Sequence, residues 1–172
     1  MKRTALTVAM VAFPFMAFAA SQNTLTFKGE VAAQTCAVSV NGGSSTVVLL
    51  PVVSTSSLQK RGLTDGEISF TVEVSGCEAP KGKTPITTQF LANDVSEGHN
   101  LKNMGTAEGV AVQLVAPNGK PIELNGITRV DGLVLEEGQT EASAEFRARY
   151  ISEDKVGPGS VTTSVQYSIT YL

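Results

Sequence analysis

Few side chains in this chain belong to types that do chemistry, and their spacing decides what each can do. His99 is the only histidine. A nucleophile triad would need it as the base, yet it stands in Glu97-Gly98-His99-Asn100, a stretch whose composition reads as a solvated loop. Carboxylates adjoin at Glu136-Glu137 and Glu153-Asp154. Each pair sits beside a glycine or a turn, where it serves to keep a loop wet. A glycosidase would place its acids in a cleft lined by aromatic rings, and the chain has no Trp. Gly82-Lys83-Thr84 resembles the tail of a phosphate-binding loop, but the first glycine of that motif falls at position 77, which is Cys77. There is no zinc or calcium ligand spacing and no Asn-x-Ser/Thr sequon. No cofactor is called for, and the sequence gives no reason to read an enzyme.

The remaining reactive residues are Cys36 and Cys77. Their meaning depends on compartment. Lys2 and Arg3 precede an apolar run over 5–18 interrupted by Pro14, and Ala17-Phe18-Ala19 is a small-x-small cleavage site. This pattern predicts a secretory signal peptide over 1–19, in preference to an N-terminal membrane anchor. In an exported chain two lone cysteines are expected to pair. Free thiols and a two-cysteine metal site are the alternatives, the latter disfavoured because His99 lies far along the chain.

Removal of 1–19 leaves 153 residues (172 minus 19), the length of one domain. It also removes two of the 13 basic residues and none of the 16 acidic ones, so the mature charge is 11 minus 16, or −5. That balance attracts neither nucleic acid nor an anionic membrane.

The elements read as strands almost throughout. Residues 67–77 (EISFTVEVSGC) turn Ile68, Phe70, Val72 and Val74 to one face and Glu67, Ser69, Thr71 and Glu73 to the other. Residues 141–151 (EASAEFRARYI) alternate in the same way. Shorter strands are predicted at 25–33, 36–40, 46–50, 86–92 and 133–135, with 41–43 (NGG) as a turn and VAVQLVAPNGKPIEL as a hairpin. One or two helical turns are expected over 54–62, capped by Ser or Thr and stopped by Gly62. The chain ends in an alternating strand, SVQYSITYL, with Val165, Tyr167, Ile169 and Tyr171 on one side. Many short strands with frequent turns predict an antiparallel β-sandwich or barrel.

Four features together make the chain resemble the structural pilins of the chaperone–usher pathway, in particular major subunits of type 1-like fimbriae. They are FKGEV at 27–31 shortly before TCAV at Cys36, SGC at Cys77 with LQKRG between, FRARY at 146–150, and the alternating C-terminal strand with Tyr171 next to last. Gly159 stands fourteenth from the end, counting inclusively, where such pilins carry a glycine. The resemblance implies an immunoglobulin-like all-β sandwich that lacks one strand, carries one disulfide and is completed by a strand donated from another molecule. It implies three segments: the signal at 1–19, an N-terminal donor arm at 20–33 and a pilin sandwich at 34–172. Leu25, Phe27, Gly29 and Val31 would enter a neighbour's groove, Gly29 over a shallow pocket. Gly159, just ahead of a final strand at 160–172, and Val165, Tyr167, Ile169 and Tyr171 on that strand would border the groove and pair with a periplasmic chaperone. The implied partners are like subunits, that chaperone and an outer-membrane usher. The implied destination is a cell-surface fimbrium that supports adhesion. The other reading the residues allow is a self-contained secreted sandwich that binds a sugar or protein ligand, with 25–33 as its own edge strand.

Overall fold

A computed structural model describes residues 36–43 and 46–171. The predicted signal, the arm with Leu25, Phe27, Gly29 and Val31, and Leu172 lie outside the described residues.

The described residues form eight strands and one short 3-10 turn: β1 (Ala37–Val40), η1 (Thr55–Leu58), β2 (Thr64–Ser75), β3 (Thr84–Leu91), β4 (Leu101–Lys102), β5 (Val110–Val115), β6 (Ile127–Leu135), β7 (Ala142–Ser152) and β8 (Gln166–Thr170). They build a five-stranded sheet in the order β1-β2-β7-β5-β4 and a three-stranded sheet in the order β6-β3-β8. The strand pairings are antiparallel. The sandwich expected from the strand pattern is therefore present.

Its centre is set by the two clearest alternations. β2 buries Phe70, Val72 and Val74, and β7 buries Ala144, Phe146 and Ala148. Phe70 is directly opposite Phe146 in the register. Their rings stack at 5.8 Å, while Phe90 of β3 meets Phe146 edge-on at 5.4 Å. The edge-on contact crosses from one sheet to the other. Aromatic geometries of this kind add to the area they bury.

Several local expectations are corrected. Residues 46–50 form no strand. PIEL at 121–124 returns only as a bridge from Val115 to Pro121, together with the Ile122 N–H bond to Leu114 O. Residues 133–135 are the end of the nine-residue β6. The final strand covers 166–170 rather than 160–172. The reason lies in residues 160–162, which bond to the 103–107 loop instead. Met104 N–H donates to Thr162 O at 2.8 Å, Ala107 N–H to Ser160 O at 3.0 Å, and Thr162 N–H to Asn103 Oδ1 at 2.9 Å. The 54–62 segment does make a turn, with Ser54 capping through its side chain to Ser56 N–H, and Gly62 follows with φ +87°. Beyond it, the Asp65 carboxylate is held below its ordinary range by the Ser57 hydroxyl and then by the Gly66 N–H.

Candidate functional site

Cys36 and Cys77 are joined in a disulfide across a sequence separation of 41. The bond ties the residue before β1 to the residue two beyond β2, so β1 is fastened to the sheet edge at which it lies. The Cys36 N–H also donates to Tyr171 Oη at 2.8 Å. One residue therefore joins an edge of the five-stranded sheet to the end of the chain's last strand.

Among the described residues β8 is outermost in the three-stranded sheet, with Thr87–Leu91 of β3 paired along it. Tyr167 lies opposite Phe90 and Ile169 opposite Thr88, so both share the core face of that sheet. Yet Val165, Tyr167, Ile169 and Tyr171 are only half-buried, although all four pack on the core cluster. The core thins toward this edge.

Residues 46–53 thin it further. Val48 and Leu50 pack on the same core cluster and stay half-buried. Between and beyond them Val47, Leu49 and Val52 are 82%, 77% and 102% exposed. Among the described residues, none of 47–53 makes a backbone–backbone hydrogen bond. An apolar segment of this kind, laid on a core without a sheet neighbour, offers a row of unused backbone donors and acceptors. Val48 and Leu50 were not anticipated as site residues. All of Val47, Val48, Leu49 and Leu50 are apolar, so no alternation marks the inward pair.

The other singled-out residues fall elsewhere. Gly159 is seven residues before β8, against the backbone of Thr106 and Ala107. A Cβ there would come within 2.3 Å of Ala107 N. It thus positions the loop that leads into β8 rather than lying in the strand. His99 is exposed, with φ 59°, and its carbonyl receives Leu124 N–H. Glu153 does more than keep a loop wet. Its Oε1 accepts from Ser96 Oγ at 2.6 Å and Asn100 Nδ2 at 2.7 Å, and Asn100 Oδ1 in turn receives Gln113 Nε2. Arg149 closes the chain by donating to Gln113 Oε1 and to Glu67. This network covers Gln113 on the outer face of β5, a strand whose six residues are all buried. Nearby, burial raises the Tyr150 hydroxyl above its ordinary value. The described residues hold no group of three or more His, Cys, Asp or Glu able to bind a metal.

The architecture is thus an immunoglobulin-like all-β sandwich of two sheets with one disulfide, and comparison with known proteins says which. The fimbrial protein family matches residues 25–172. The major fimbrial subunit SMF-1 of Stenotrophomonas maltophilia is 30% identical over 173 residues, covering 94% of this chain and 99% of that one. The type-1 fimbrial protein A chain of Escherichia coli K12 is 26% identical over 174 residues, covering 98% and 93%. Among solved structures, the P pilus rod subunit PapA superposes with a TM-score of 0.61 at 19% identity, over 80% of this chain and 99% of that one. A subunit of a chaperone–usher pilus superposes with a TM-score of 0.62 at 18% identity, over 89% and 97%. At such identities the two structures speak for the fold alone. The chain belongs to the fimbrial protein family. It is a structural subunit of a fimbrium, exported and displayed at the cell surface, with related subunits as partners. A self-contained binding module is not favoured.

Proposed function

We propose that this subunit polymerises head to tail by strand donation. Residues 20–33 of one copy, following a signal at 1–19, lie along the next copy beside β8 and 46–53. Leu25, Phe27, Gly29 and Val31 then face its core, and residues 34–172 form the receiving sandwich. During export a periplasmic chaperone holds the same site, reading Val165, Tyr167, Ile169 and Tyr171, while Gly159 shapes the approach to that strand. An outer-membrane usher then replaces the chaperone by the incoming arm.

The observation that carries this reading is the stretch 47–53, apolar and set against the core, yet without a backbone–backbone hydrogen bond among the described residues. A strand placed there satisfies that backbone and covers the half-buried side chains in one step. An interface of this type is heterologous and does not close on itself, so repetition gives a filament.

The test uses two chains. Deleting 20–33 is expected to leave a chaperone-bound subunit that forms no detergent-resistant ladder. Appending a second copy of 20–33 behind Leu172 through a flexible linker is expected to give a chaperone-independent monomer. A deletion chain that still polymerises, or that folds alone as a stable monomer, would refute the reading.

A further inference from the structure

The two ends of the sandwich are chemically different, and the arm forces them together. β2 is 12 residues long, so its ends are about 40 Å apart. At the Ser75 end lie the disulfide and the connections 78–83 and 136–141. At the Thr64 end lies an open cleft of about 860 Å³, bordered by Arg61, Glu97, Lys102, Glu153, Asp154 and Lys155.

The position of a donated arm relative to these ends follows from chain length. Only Gln34 and Thr35 separate residue 33 from Cys36. Three Cα steps place the root of the arm within about 11 Å of Cys36. Whichever end of the acceptor holds that root, the donor's Ser75 end abuts it. Were this the acceptor's own Ser75 end, that end would also have to release the acceptor's outgoing arm. Two junctions would crowd one pole and leave the other empty. Placing the root at the Thr64 end gives one junction per pole, as an unbranched filament requires.

The two surfaces so opposed carry charges that can pair one to one, the cleft lining holding three cations, Arg61, Lys102 and Lys155, and three acids, Glu97, Glu153 and Asp154. In the 136–141 connection Glu137 and Glu141 are exposed and in no ion pair among the described residues, whereas Glu136 is paired with Lys83 at 3.1 Å. The turn is stiff, since Gln139 N–H donates to Glu136 O at 3.1 Å and Gly138 N–H to Pro80 O at 3.0 Å. In the cleft, Arg61, Lys102 and Lys155 are exposed and take part in no ion pair among the described residues. Glu153 is already engaged by Ser96 and Asn100, and Asp154 Oδ1 receives Lys155 N–H. For the acids of the cleft, Glu97 among them, the opposed surface offers Lys81 of the adjoining 78–83 loop, also exposed and in no ion pair among the described residues.

We propose that the cleft at the Thr64 end is a seat for the neighbouring copy's 136–141 turn, with Glu137 and Glu141 meeting Arg61, Lys102 and Lys155. This second contact between subunits rests on the strand-donation reading and goes beyond it. It guides the incoming subunit before its arm enters and fixes its angle afterwards.

The experiment follows assembly of full-length chains into detergent-resistant ladders at about 0.01 M and about 1 M salt, where charges are felt over roughly 30 Å and 3 Å. Lys102→Glu with Lys155→Glu is expected to slow assembly about tenfold at low salt and less than about twofold at high salt. Glu137→Lys with Glu141→Lys is expected to do the same. A chain carrying all four changes is expected to recover to within about threefold of the parent, which a merely folding-deficient variant would not do. Lys155→Ala, the milder change, is expected to slow assembly about twofold at low salt. Rates equal to the parent's for both charge reversals, or a fourfold variant no better than its halves, would overturn the contact while leaving strand donation intact. A parent chain that forms no ladder would overturn strand donation and the contact with it.

Discussion

The disulfide offers the most direct energetic test of how this sandwich is held together. Replacing both cysteines, as Cys36→Ser with Cys77→Ser, opens a loop defined by a separation of 41 residues. The chain-entropy relation gives about 13 cal/mol/K for such a loop, or about 4 kcal/mol at 25 °C, a model-dependent value. The assay is urea unfolding of the chain carrying its own appended 20–33 segment, compared with the same chain lacking both cysteines. For a slope of about 2 kcal/mol/M the midpoint is expected to fall by about 2 M. The effect has a spatial signature as well. Because Cys36 N–H donates to Tyr171 Oη, amide exchange is expected to quicken at the end of β8 and along β1, and to change least in β7 at the sheet centre. A midpoint shift below about 0.5 M with an unchanged slope would refute the reasoning. So would exchange that quickens evenly through both sheets.

Two further substitutions probe the packing. Phe146 is 0% exposed and contacts Phe70 and Phe90, so Phe146→Ala is expected to cost about 3–5 kcal/mol in the same unfolding assay. Gly159→Ala places a methyl within 2.3 Å of Ala107 N and 2.5 Å of Thr106 C. Backbone must move to admit it, and a loss of about 1–3 kcal/mol is expected, accompanied by faster exchange in 160–170 but not in β2.

The fold was legible where one face of a strand is core and the other water. β2 and β7 meet that condition, and their buried positions, Phe70, Val72 and Val74 with Ala144, Phe146 and Ala148, fall on the predicted alternation. β6 does not. Its buried residues are Val130, Leu133 and Leu135, spaced three and then two apart, because a register shift interrupts its pairing with β3 between Ile86 and Thr88. Gly132, with φ +142° and pressed on Pro117, lies within that stretch. A period-two reading cannot follow a bulge that exchanges the two faces. β5 shows no water-facing side, and its one polar residue, Gln113, is taken up by the Glu153–Asn100–Gln113–Arg149 network. That network comes from residues distant in sequence and leaves no local mark. Of the candidate site, Tyr167 and Ile169 were readable from alternation, while Val48 and Leu50 were not, being set among apolar neighbours. The short reach of β8 was hidden for a different reason. Residues 160–162 alternate as a strand would but find their hydrogen bonds in the 103–107 loop.

The Cys36–Cys77 bond also has a mechanical consequence. If subunits join by strand donation as proposed, a filament pulled along its length would load each subunit at the root of its arm, just before Cys36. Without the bond that tension would fall first on the four residues of β1, an outer strand that can be stripped from its neighbour one pairing at a time. With it, the pull passes through sulfur directly into the far end of β2, a strand flanked on both sides. In that arrangement the weak rim would be spared, and the expected point of yielding is the junction between subunits rather than the subunit itself.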